Sequence, residues 1–424
     1  WNMLHNFGGR MGLDGELEVT AEQMPKDFQN KNYMKGIGIT PEALENSPVA
    51  YELFFDMTWS KDPIDYHAWL EKYAERRAGG TSDTLQEAWK ILNETAYAKK
   101  GQYFQGAAET VINARPGLNF SAASTWGHSS ILYDKTELDK ALELLIDNYD
   151  AFANSPAFQY DLADVAEQVL CNSAVEYHSL MREAYNAADS AAFKSYATKF
   201  LEIIALSDEI LSSNEEFMVG TWINDARNML EDADDWTMDL FEFNARALIT
   251  TWGGTRSSSL NDYSNRKWAG LTKSYYYERW SMWIANRQAE LDKTTKNPEY
   301  VKAESNWFLW GWRWANLKSD DGYAFDTTAN TSKLKENAQK AFDDYSTTTL
   351  RANGGVVEGK VNIAKGKIFT TPSATKAGSL ANMTDGSTGT FWEGEGAGPH
   401  VLTLDLEGLY EITDMNIAIR QAAG

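Results

Sequence analysis

The chain is poor in cysteine, in basic residues and in long apolar runs. Its 424 residues include one cysteine, Cys171, so no disulfide can form within the chain; the preceding Gln-Val-Leu predicts a buried, unreactive thiol. No run of about 18 apolar residues occurs, which excludes a membrane-spanning helix. Lys and Arg number 39 against 61 Asp and Glu, a net charge of −22. Because that charge repels a phosphate backbone, nucleic acid is excluded as a partner.

Common site motifs are missing as well. The five histidines are scattered, and no His, Cys and Asp cluster has the spacing of metal ligands. Patterns for a Ser/His/Asp triad or for a glycine-rich phosphate loop are also missing.

What the chain does have is apolar and aromatic residues in quantity. Hydrophobic residues make up 43% and aromatic residues 13% of the sequence, with 16 tryptophans, enough for well-formed cores. At roughly 100 to 200 residues per domain, the length predicts two or three domains. Position 1 is Trp in an apolar run, and residue 424 follows a strand-like segment, so we expect a piece of a longer protein.

Three patterns follow one another along the sequence. Residues 1–61 have short apolar runs punctuated by glycine, typical of α/β structure. Residues 62–350 have helical spacing throughout, which predicts a large all-α domain. After the diglycine Gly354-Gly355, residues 357–424 show short alternating segments such as Val401–Leu406, which predict a truncated all-β domain.

Particular helices and their buried residues can be named in the all-α part. Asp65 is predicted to cap a helix that begins at Tyr66, and Thr84 to cap one that begins at Leu85. The tryptophans of this region are predicted to be mostly core: Trp69, Trp89, Trp222, Trp236, Trp268, Trp280 and Trp283. The aromatic run Trp307–Trp314 is predicted to be buried between helices.

Glu42 is the sharpest candidate for catalysis. It ends the segment GITPE, where a carboxylate follows a buried strand, and active sites of α/β proteins are built at the carboxyl ends of strands. Pro41 restrains the backbone beside it. The segment Trp1–Gly9 (WNMLHNFGG) has a similar form, with polar residues and glycines at the end of an apolar run. An ordinary exposed loop glutamate remains the alternative for Glu42.

Trp252 and Tyr263 are candidates for holding a sugar. Trp252 stands beside two glycines after a helical segment, and an indole ring offers a flat apolar surface, while a tyrosine hydroxyl adds a polar group. Core packing is the alternative for this tryptophan.

Several motifs together resemble the alpha-N-acetylglucosaminidase family, glycoside hydrolase family 89. They are Trp1–Gly9, Gly38–Glu42 (GITPE), Trp59–Pro63 (WSKDP), Ser155–Leu162 (SPAFQYDL), Gly220–Ile223 (GTWI) and Asp262–Asn265 (DYSN). The resemblance extends from residue 1 to about residue 315. It implies that residues 1–61 are the C-terminal part of a (β/α)8 barrel and that residues 62–350 are the family's all-α domain.

The same resemblance implies roles for individual residues. Glu42 corresponds to the nucleophile of a retaining exo-glycosidase, whose acid/base glutamate would lie upstream of this chain, so that the chain alone is expected to be inactive. Leu4, Phe7 and Tyr51 would lie on the barrel side of the pocket. Trp252 and Tyr263 would cover the sugar from the all-α domain. Since two carboxyl groups suffice for this chemistry, no catalytic cofactor is expected.

Residues 357–424 resemble the first half of an F5/8 type C (discoidin-like) domain, the galactose-binding-like sandwich of carbohydrate-binding module family 32. The segments NIAKGK, TDGS, TFW and LTLDL carry this likeness. It implies a structural Ca²⁺ with Asp385 and Thr390 as ligands, since hard oxygen donors suit that ion. A simple Asp-Gly turn is the alternative.

Together these resemblances predict an enzyme that removes terminal α-linked N-acetylglucosamine from a glycan of glycosaminoglycan or mucin type. The attached module favours a bacterial protein that is secreted, periplasmic or at the cell surface, whereas animal relatives are lysosomal. A noncatalytic glycan-binding or adhesion protein is the alternative from another class, and an α-helical scaffold is a third.

Overall fold

The computed structural model describes residues 1–30, 34–43, 46–98, 104, 106–253, 260–352, 364, 367–384, 390–396 and 398–405. The chain separates into two compact units, Trp1–Asn353 and Gly354–Gly424, and each is described by itself. Within the described ranges, no helix is both long enough and apolar enough to cross a membrane.

The first unit opens with alternating strands and helices. Strand β1 (Asn2–Met3) pairs in parallel with β2 (Gly38–Ile39), and helix α1 (Leu17–Gln29) forms the crossover that a parallel pair requires. Helix α2 (Pro48–Met57) follows, with proline in its first turn, where a missing N–H costs nothing. This β-α-β-α order agrees with the α/β prediction for the start of the chain.

Helices make up the rest of this unit. Their bounds are α3 (Tyr66–Ala78), α4 (Asp83–Glu94), α5 (Lys135–Asp147), α6 (Tyr149–Phe152), α7 (Pro156–Asn186), α8 (Ser190–Leu211), α9 (Val219–Arg227), α10 (Asp235–Leu248), α11 (Glu278–Leu291), α12 (Pro298–Glu304), α13 (Trp307–Ala315), α14 (Leu334–Tyr345) and α15 (Thr347–Ala352). A π-helical turn, Thr272–Tyr277, leads into α11. The long helix α7 packs against α5, α8 and α14 and forms the centre of the domain.

The sequence predicted one of two helix starts correctly. Asp65 caps α3 by accepting a hydrogen bond from the backbone N–H of Ala68, as expected. The cap of α4, however, is Ser82, which accepts from the N–H of Leu85, so the prediction of Thr84 was wrong. The hydroxyl of Thr84 instead accepts a hydrogen bond from the side chain of Asn148, which ties α4 to the end of α5.

Four of the seven predicted core tryptophans are buried, Trp69 and Trp222 are half-buried, and Trp236 is exposed. Trp89, Trp268, Trp280 and Trp283 are all less than 5% exposed. Trp236 is 70% exposed, because the buried face of α10 carries other residues, among them Glu242 and Arg246. The predicted burial of the run Trp307–Trp314 holds only in part: Trp314 is buried, whereas Trp312 is 37% exposed.

The second unit contains two short antiparallel pairs among its described residues. Strand β3 (Phe369–Thr370) pairs with β6 (Thr403–Leu404), and β4 (Thr375–Gly378) pairs with β5 (Trp392–Gly394). Asp385, one of the two predicted calcium ligands, lies outside the described residues, and Thr390 lies just before β5. Among the described residues, no group of three His, Cys, Asp or Glu side chains is arranged to hold a metal ion.

Candidate active site

Glu42 lies where three separate segments of the chain meet. It follows β2 by three residues, in a bend at the carboxyl end of that strand. Its Oε2 accepts a hydrogen bond from the backbone N–H of Gly8, in the loop after β1. The same oxygen accepts a second hydrogen bond, 2.8 Å long, from the hydroxyl of Tyr263 in the helical domain. A residue 221 positions away therefore holds the carboxylate in place.

The backbone of Glu42 is held by Asn6, which is 1% exposed. Asn6 Oδ1 accepts hydrogen bonds from the backbone N–H groups of Glu42 (3.0 Å) and Ala43 (3.3 Å). Its Nδ2 donates to the carbonyl of Ala43 over 2.7 Å. No regular strand or helix pairs these backbone groups, so a single amide takes the place of secondary structure at the catalytic candidate.

Gly8 allows the β1 loop and the helical domain to touch. Its φ is +68°, in the left-handed region, and a Cβ at this position would lie 2.1 Å from the carbonyl oxygen of Tyr263. Ser264 and Arg266 donate to the carbonyl of Gly8 over 2.6 and 2.7 Å. Only glycine fits here, because both the backbone angle and the close approach exclude a side chain.

A buried ion cluster fixes the segment that carries Tyr263. Asp262, 1% exposed, accepts hydrogen bonds from Arg115 (2.7 Å) and from the fully buried Arg279 (3.1 Å). Its φ of +52° is uncommon for a residue other than glycine and turns the chain sharply before Tyr263. Two guanidinium groups on one carboxylate offset its burial and hold this turn.

The ring of Trp252 packs edge to face against the ring of Tyr263, whose hydroxyl donates to Glu42. Their ring centroids are 5.1 Å apart with an angle of 68° between the planes, and both side chains are half-buried. The pKa of Tyr263 is raised to about 12. Burial is the largest cause, and the hydrogen bond to Glu42 and the negative charge of Glu42 raise the pKa further. The hydroxyl therefore remains a hydrogen-bond donor throughout the physiological pH range.

The remaining predicted residues, Leu4, Phe7 and Tyr51, lie near the start of the chain, around β1 and on α2. Leu4 is 43% exposed, and Phe7 is half-buried in the loop after β1. Tyr51 on α2 is only 8% exposed, and its hydroxyl lies 3.2 Å from both Asn6 Nδ2 and His5 Nδ1. The structure thus places Tyr51 behind the Glu42 loop. Substrate contact by these three residues stays a prediction.

Sequence reasoning overlooked Asn6, Asp262 and Arg266. Asn6 had a detectable signal, because it is a polar residue at the end of an apolar strand and is separated from two glycines only by Phe7. Asp262 and Arg266 lie in and beside the DYSN segment, but nothing in their spacing indicated the partners Arg279 and Gly8, which come from other parts of the chain.

A cavity of about 280 Å³ lies apart from these residues, between α4, α5 and the loop 130–134. Leu13, Ile91, Tyr133 and Gln168 contribute to its lining. None of the residues predicted for the site lines it. The candidate site is therefore the surface around Glu42 and not this cavity.

Comparison with known proteins identifies relatives for most of the chain. Residues 69–340 match the family profile "Alpha-N-acetylglucosaminidase (NAGLU) C-terminal domain", and residues 1–61 match the family's tim-barrel domain. The human alpha-N-acetylglucosaminidase is 32% identical over 288 residues, covering 67% of this chain and 37% of the human protein.

Solved structures give the same picture. A family 89 glycoside hydrolase from Clostridium perfringens in complex with PUGNAc superposes with a TM-score of 0.79 at 51% identity, over 83% of this chain and 40% of that one. The Clostridium perfringens enzyme with two Glu→Gln substitutions, in complex with its substrate GlcNAc-alpha-1,4-galactose, gives a TM-score of 0.80 at 51% identity with the same coverage. The chain thus spans about two fifths of the length of these relatives. With profile matches over both the barrel part and the helical domain, the chain belongs to the alpha-N-acetylglucosaminidase family, glycoside hydrolase family 89.

Proposed function

We propose that this chain is part of a retaining exo-acting α-N-acetylglucosaminidase and that Glu42 is its nucleophile. The observation that carries the proposal is the position of Glu42: a carboxylate at the end of a barrel strand, held by the N–H of Gly8 and the hydroxyl of Tyr263. The relative in complex with GlcNAc-alpha-1,4-galactose supports an α-linked N-acetylglucosaminide as the substrate class.

The hydrogen bonds of Glu42 suggest which oxygen attacks. Both donors bind Oε2, and Oε1 has no hydrogen-bond partner among the described residues. Oε1 would therefore attack the anomeric carbon, while Oε2 stays anchored and the two donors stabilise the carboxylate when it leaves in the second step. In an α-linked N-acetylglucosaminide, the 2-acetamido group is cis to the leaving oxygen and cannot attack from the opposite face. Hydrolysis of this substrate with retention consequently requires a nucleophile from the protein.

The second carboxyl group belongs to another part of the enzyme. Retaining glycosidases hold their two carboxyl groups about 5 to 5.5 Å apart. The family resemblance implies an acid/base glutamate upstream of Trp1, so we propose that the 424-residue chain alone does not turn over substrate. Trp252 would provide an apolar platform for the sugar face, while Leu4, Phe7 and Tyr51 would complete the barrel side.

We further propose that residues 357–424 begin a carbohydrate-binding module of the F5/8 type C class. The antiparallel pairs β3–β6 and β4–β5 support a β-rich module. Its presence favours an exported protein that acts on glycosaminoglycan or mucin-type glycans. Cell fractionation of the source organism would test the location, and calcium-dependent thermal stability of the complete module would test the proposed ion.

The proposed activity can be tested with the full-length parent protein and p-nitrophenyl α-N-acetylglucosaminide. We expect hydrolysis by the parent, a loss of at least about 10³-fold for Glu42→Ala, and recovery of p-nitrophenol release with added azide, which yields a glycosyl azide. Glu52→Ala is a matched control, because Glu52 is a surface carboxylate on α2 paired with Arg76. A parent that binds the sugar without cleaving it would instead establish the noncatalytic glycan-binding alternative.

A further inference from the structure

The side chain of Asn6 forms hydrogen bonds with the backbone of Glu42 and of the next residue, Ala43. One side-chain oxygen accepts from two successive N–H groups, those of Glu42 and Ala43, and the side-chain nitrogen donates to the carbonyl of Ala43. The amide thereby satisfies three backbone groups at once, with both its donor and its acceptor used. Asn6 is 1% exposed, so bulk solvent does not compete for these hydrogen bonds.

A chain of hydrogen bonds through Tyr51 and His5 fixes the orientation of the Asn6 amide. The carbonyl of Asp14 can only accept, so His5 Nε2, 2.9 Å away, must carry a proton. In the neutral ring, His5 Nδ1 is then an acceptor for the Tyr51 hydroxyl at 3.2 Å, and the carbonyl of Ala43, 3.3 Å away, is a second acceptor for the same hydroxyl. The Tyr51 oxygen therefore presents a lone pair to Asn6 Nδ2, also at 3.2 Å. This order of donors points the nitrogen of Asn6 toward Tyr51 and its oxygen toward Glu42.

From this arrangement we infer that Asn6 is a positioning residue for the nucleophile, supported by Tyr51 and His5. The inference rests on the proposed function, because it requires Glu42 to attack the sugar. Asn6 acts on the main chain of Glu42, whereas Gly8 and Tyr263 act on its carboxylate. Tyr51, predicted from the family resemblance to line the pocket, becomes part of the support behind it.

The expected effect of removing the amide follows from the geometry of attack. Reacting atoms must approach within about 3 to 3.5 Å, and a displacement of about 1 Å can cost 10²-fold in rate. Asn6→Ala leaves the N–H groups of Glu42 and Ala43 without their acceptor and the carbonyl of Ala43 with only the 3.3 Å hydrogen bond from Tyr51, so the bend that carries Glu42 can shift. We expect kcat to fall about 10²-fold while KM changes less than about threefold, because Asn6 is 1% exposed and offers no surface for the sugar to contact.

A double-mutant cycle in the full-length parent separates positioning from general damage. In Glu42→Ala, azide replaces the carboxylate as nucleophile, and the position of residue 42 no longer matters. Adding Asn6→Ala to that background should therefore change the azide-dependent rate less than about threefold. Asn172→Ala is the matched control: Asn172 is fully buried in α7 and bonded to Gln168, and its loss should lower the melting temperature without a selective effect on kcat.

Each result of this experiment is decisive. An equal loss from Asn6→Ala in both backgrounds would overturn the positioning role and leave the proposed function intact. An inactive parent, or a Glu42→Ala variant with full activity, would overturn both. If Asn6→Ala does not fold, Asn6→Asp takes its place. This variant keeps an acceptor for both N–H groups and loses the donor to Ala43. We expect it to lower kcat less than Asn6→Ala does, and to leave the azide-dependent rate of the Glu42→Ala background unchanged. A loss that persists with azide would overturn the positioning role.

Discussion

At the scale of single residues, Tyr263 connects the helical domain to the chemistry. Its hydroxyl is the side-chain donor to Glu42 Oε2, and its ring packs against Trp252. Hydrogen bonds to a charged group are worth roughly 1.5 to 3 kcal/mol, more than those between neutral groups. The helical domain therefore contributes a hydrogen bond to the carboxylate that we propose as the nucleophile.

Removing this one hydroxyl gives a first prediction. Tyr263→Phe in the full-length parent should lower kcat about 10- to 100-fold, with the ring still packed on Trp252. Because the pKa of Tyr263 is raised to about 12, the hydroxyl stays protonated, and the ratio of wild-type to variant rates should be constant between pH 5 and 9.

Tyr185→Phe is the matched control for that prediction. Tyr185 also donates to a carboxylate, Glu290, over 2.7 Å, but among helices away from the proposed site. Its variant should keep full activity. A wild-type to Tyr263→Phe ratio that changes through the neutral range, or equal rates for wild type and Tyr263→Phe, would contradict the role given to this hydroxyl.

At the scale of elements, the site depends on the contact between the loop after β1 and the segment after α10. Gly8→Ala should lower stability by more than about 3 kcal/mol and abolish hydrolysis by the parent, because the new Cβ would overlap the carbonyl of Tyr263. Gly79→Ala has a matching φ of +74° but meets no atom within 4 Å. It should cost only the backbone strain, about 1 kcal/mol, and retain activity. Urea unfolding and initial rates distinguish the two; equal losses would contradict the contact.

A buried carboxylate links α8 to the π-helical turn and gives a pH-dependent prediction. Asp208 Oδ1 accepts from the backbone N–H groups of Gly270 (2.7 Å) and Lys273 (3.0 Å). Burial raises the pKa of Asp208 to about 6, from 3.8. Since the raised pKa favours the protonated form in the folded state, the stability it contributes is present below about pH 4 and is lost as pH rises through 6.

Asp208→Asn should remove that dependence. The amide oxygen can keep both backbone hydrogen bonds without a buried charge. The free energy of unfolding of the variant should therefore equal that of the wild type near pH 4 and exceed it by about 2 to 3 kcal/mol above pH 7. Asp234→Asn is a control of opposite sign, because the hydrogen bonds of this exposed cap lower its pKa. Unfolding of the chain in urea from pH 4 to 8 measures both. A difference in unfolding free energy between wild type and Asp208→Asn that stays the same from pH 4 to 8 would contradict the burial argument.

Helix spacing could be predicted from sequence because it is a local property. Leu138, Leu142 and Leu145 recur at helical intervals, and all three are fully buried in α5. Trp236 fits the same type of pattern but is exposed, since α10 buries the ion pair of Glu242 and Arg246 instead. An apolar period identifies a helix more reliably than it identifies which large residue faces the core.

The site was only partly predictable for a similar reason. Glu42 could be suspected from its place after a strand, but its contact with Tyr263 joins residues far apart in sequence, and only the family resemblance suggested that they share a pocket. Asn6 and Asp262 act through backbone hydrogen bonds and a left-handed turn. Neither feature leaves a periodic signal in the sequence.

At the scale of the whole molecule, the chain holds one half of the proposed catalytic pair. The first unit brings the barrel strands and the helical domain together around Glu42, and the chain spans about two fifths of its relatives. The purified 424-residue chain should therefore fold but release p-nitrophenol no faster than buffer, while the parent is active at the same concentration. Turnover by the chain that is abolished by Glu42→Ala would contradict an upstream acid/base group.

The most direct test of the account is to identify the residue that bonds to the sugar. The full-length parent would be incubated with a 5-fluoro-α-N-acetylglucosaminyl fluoride, which slows release of the glycosyl-enzyme, then digested and analysed by tandem mass spectrometry. We predict that the added sugar mass lies on Glu42, and that Glu42→Gln takes up no label. Label on a different residue, or hydrolysis with inversion and no covalent adduct, would contradict the assignment of Glu42 as the nucleophile.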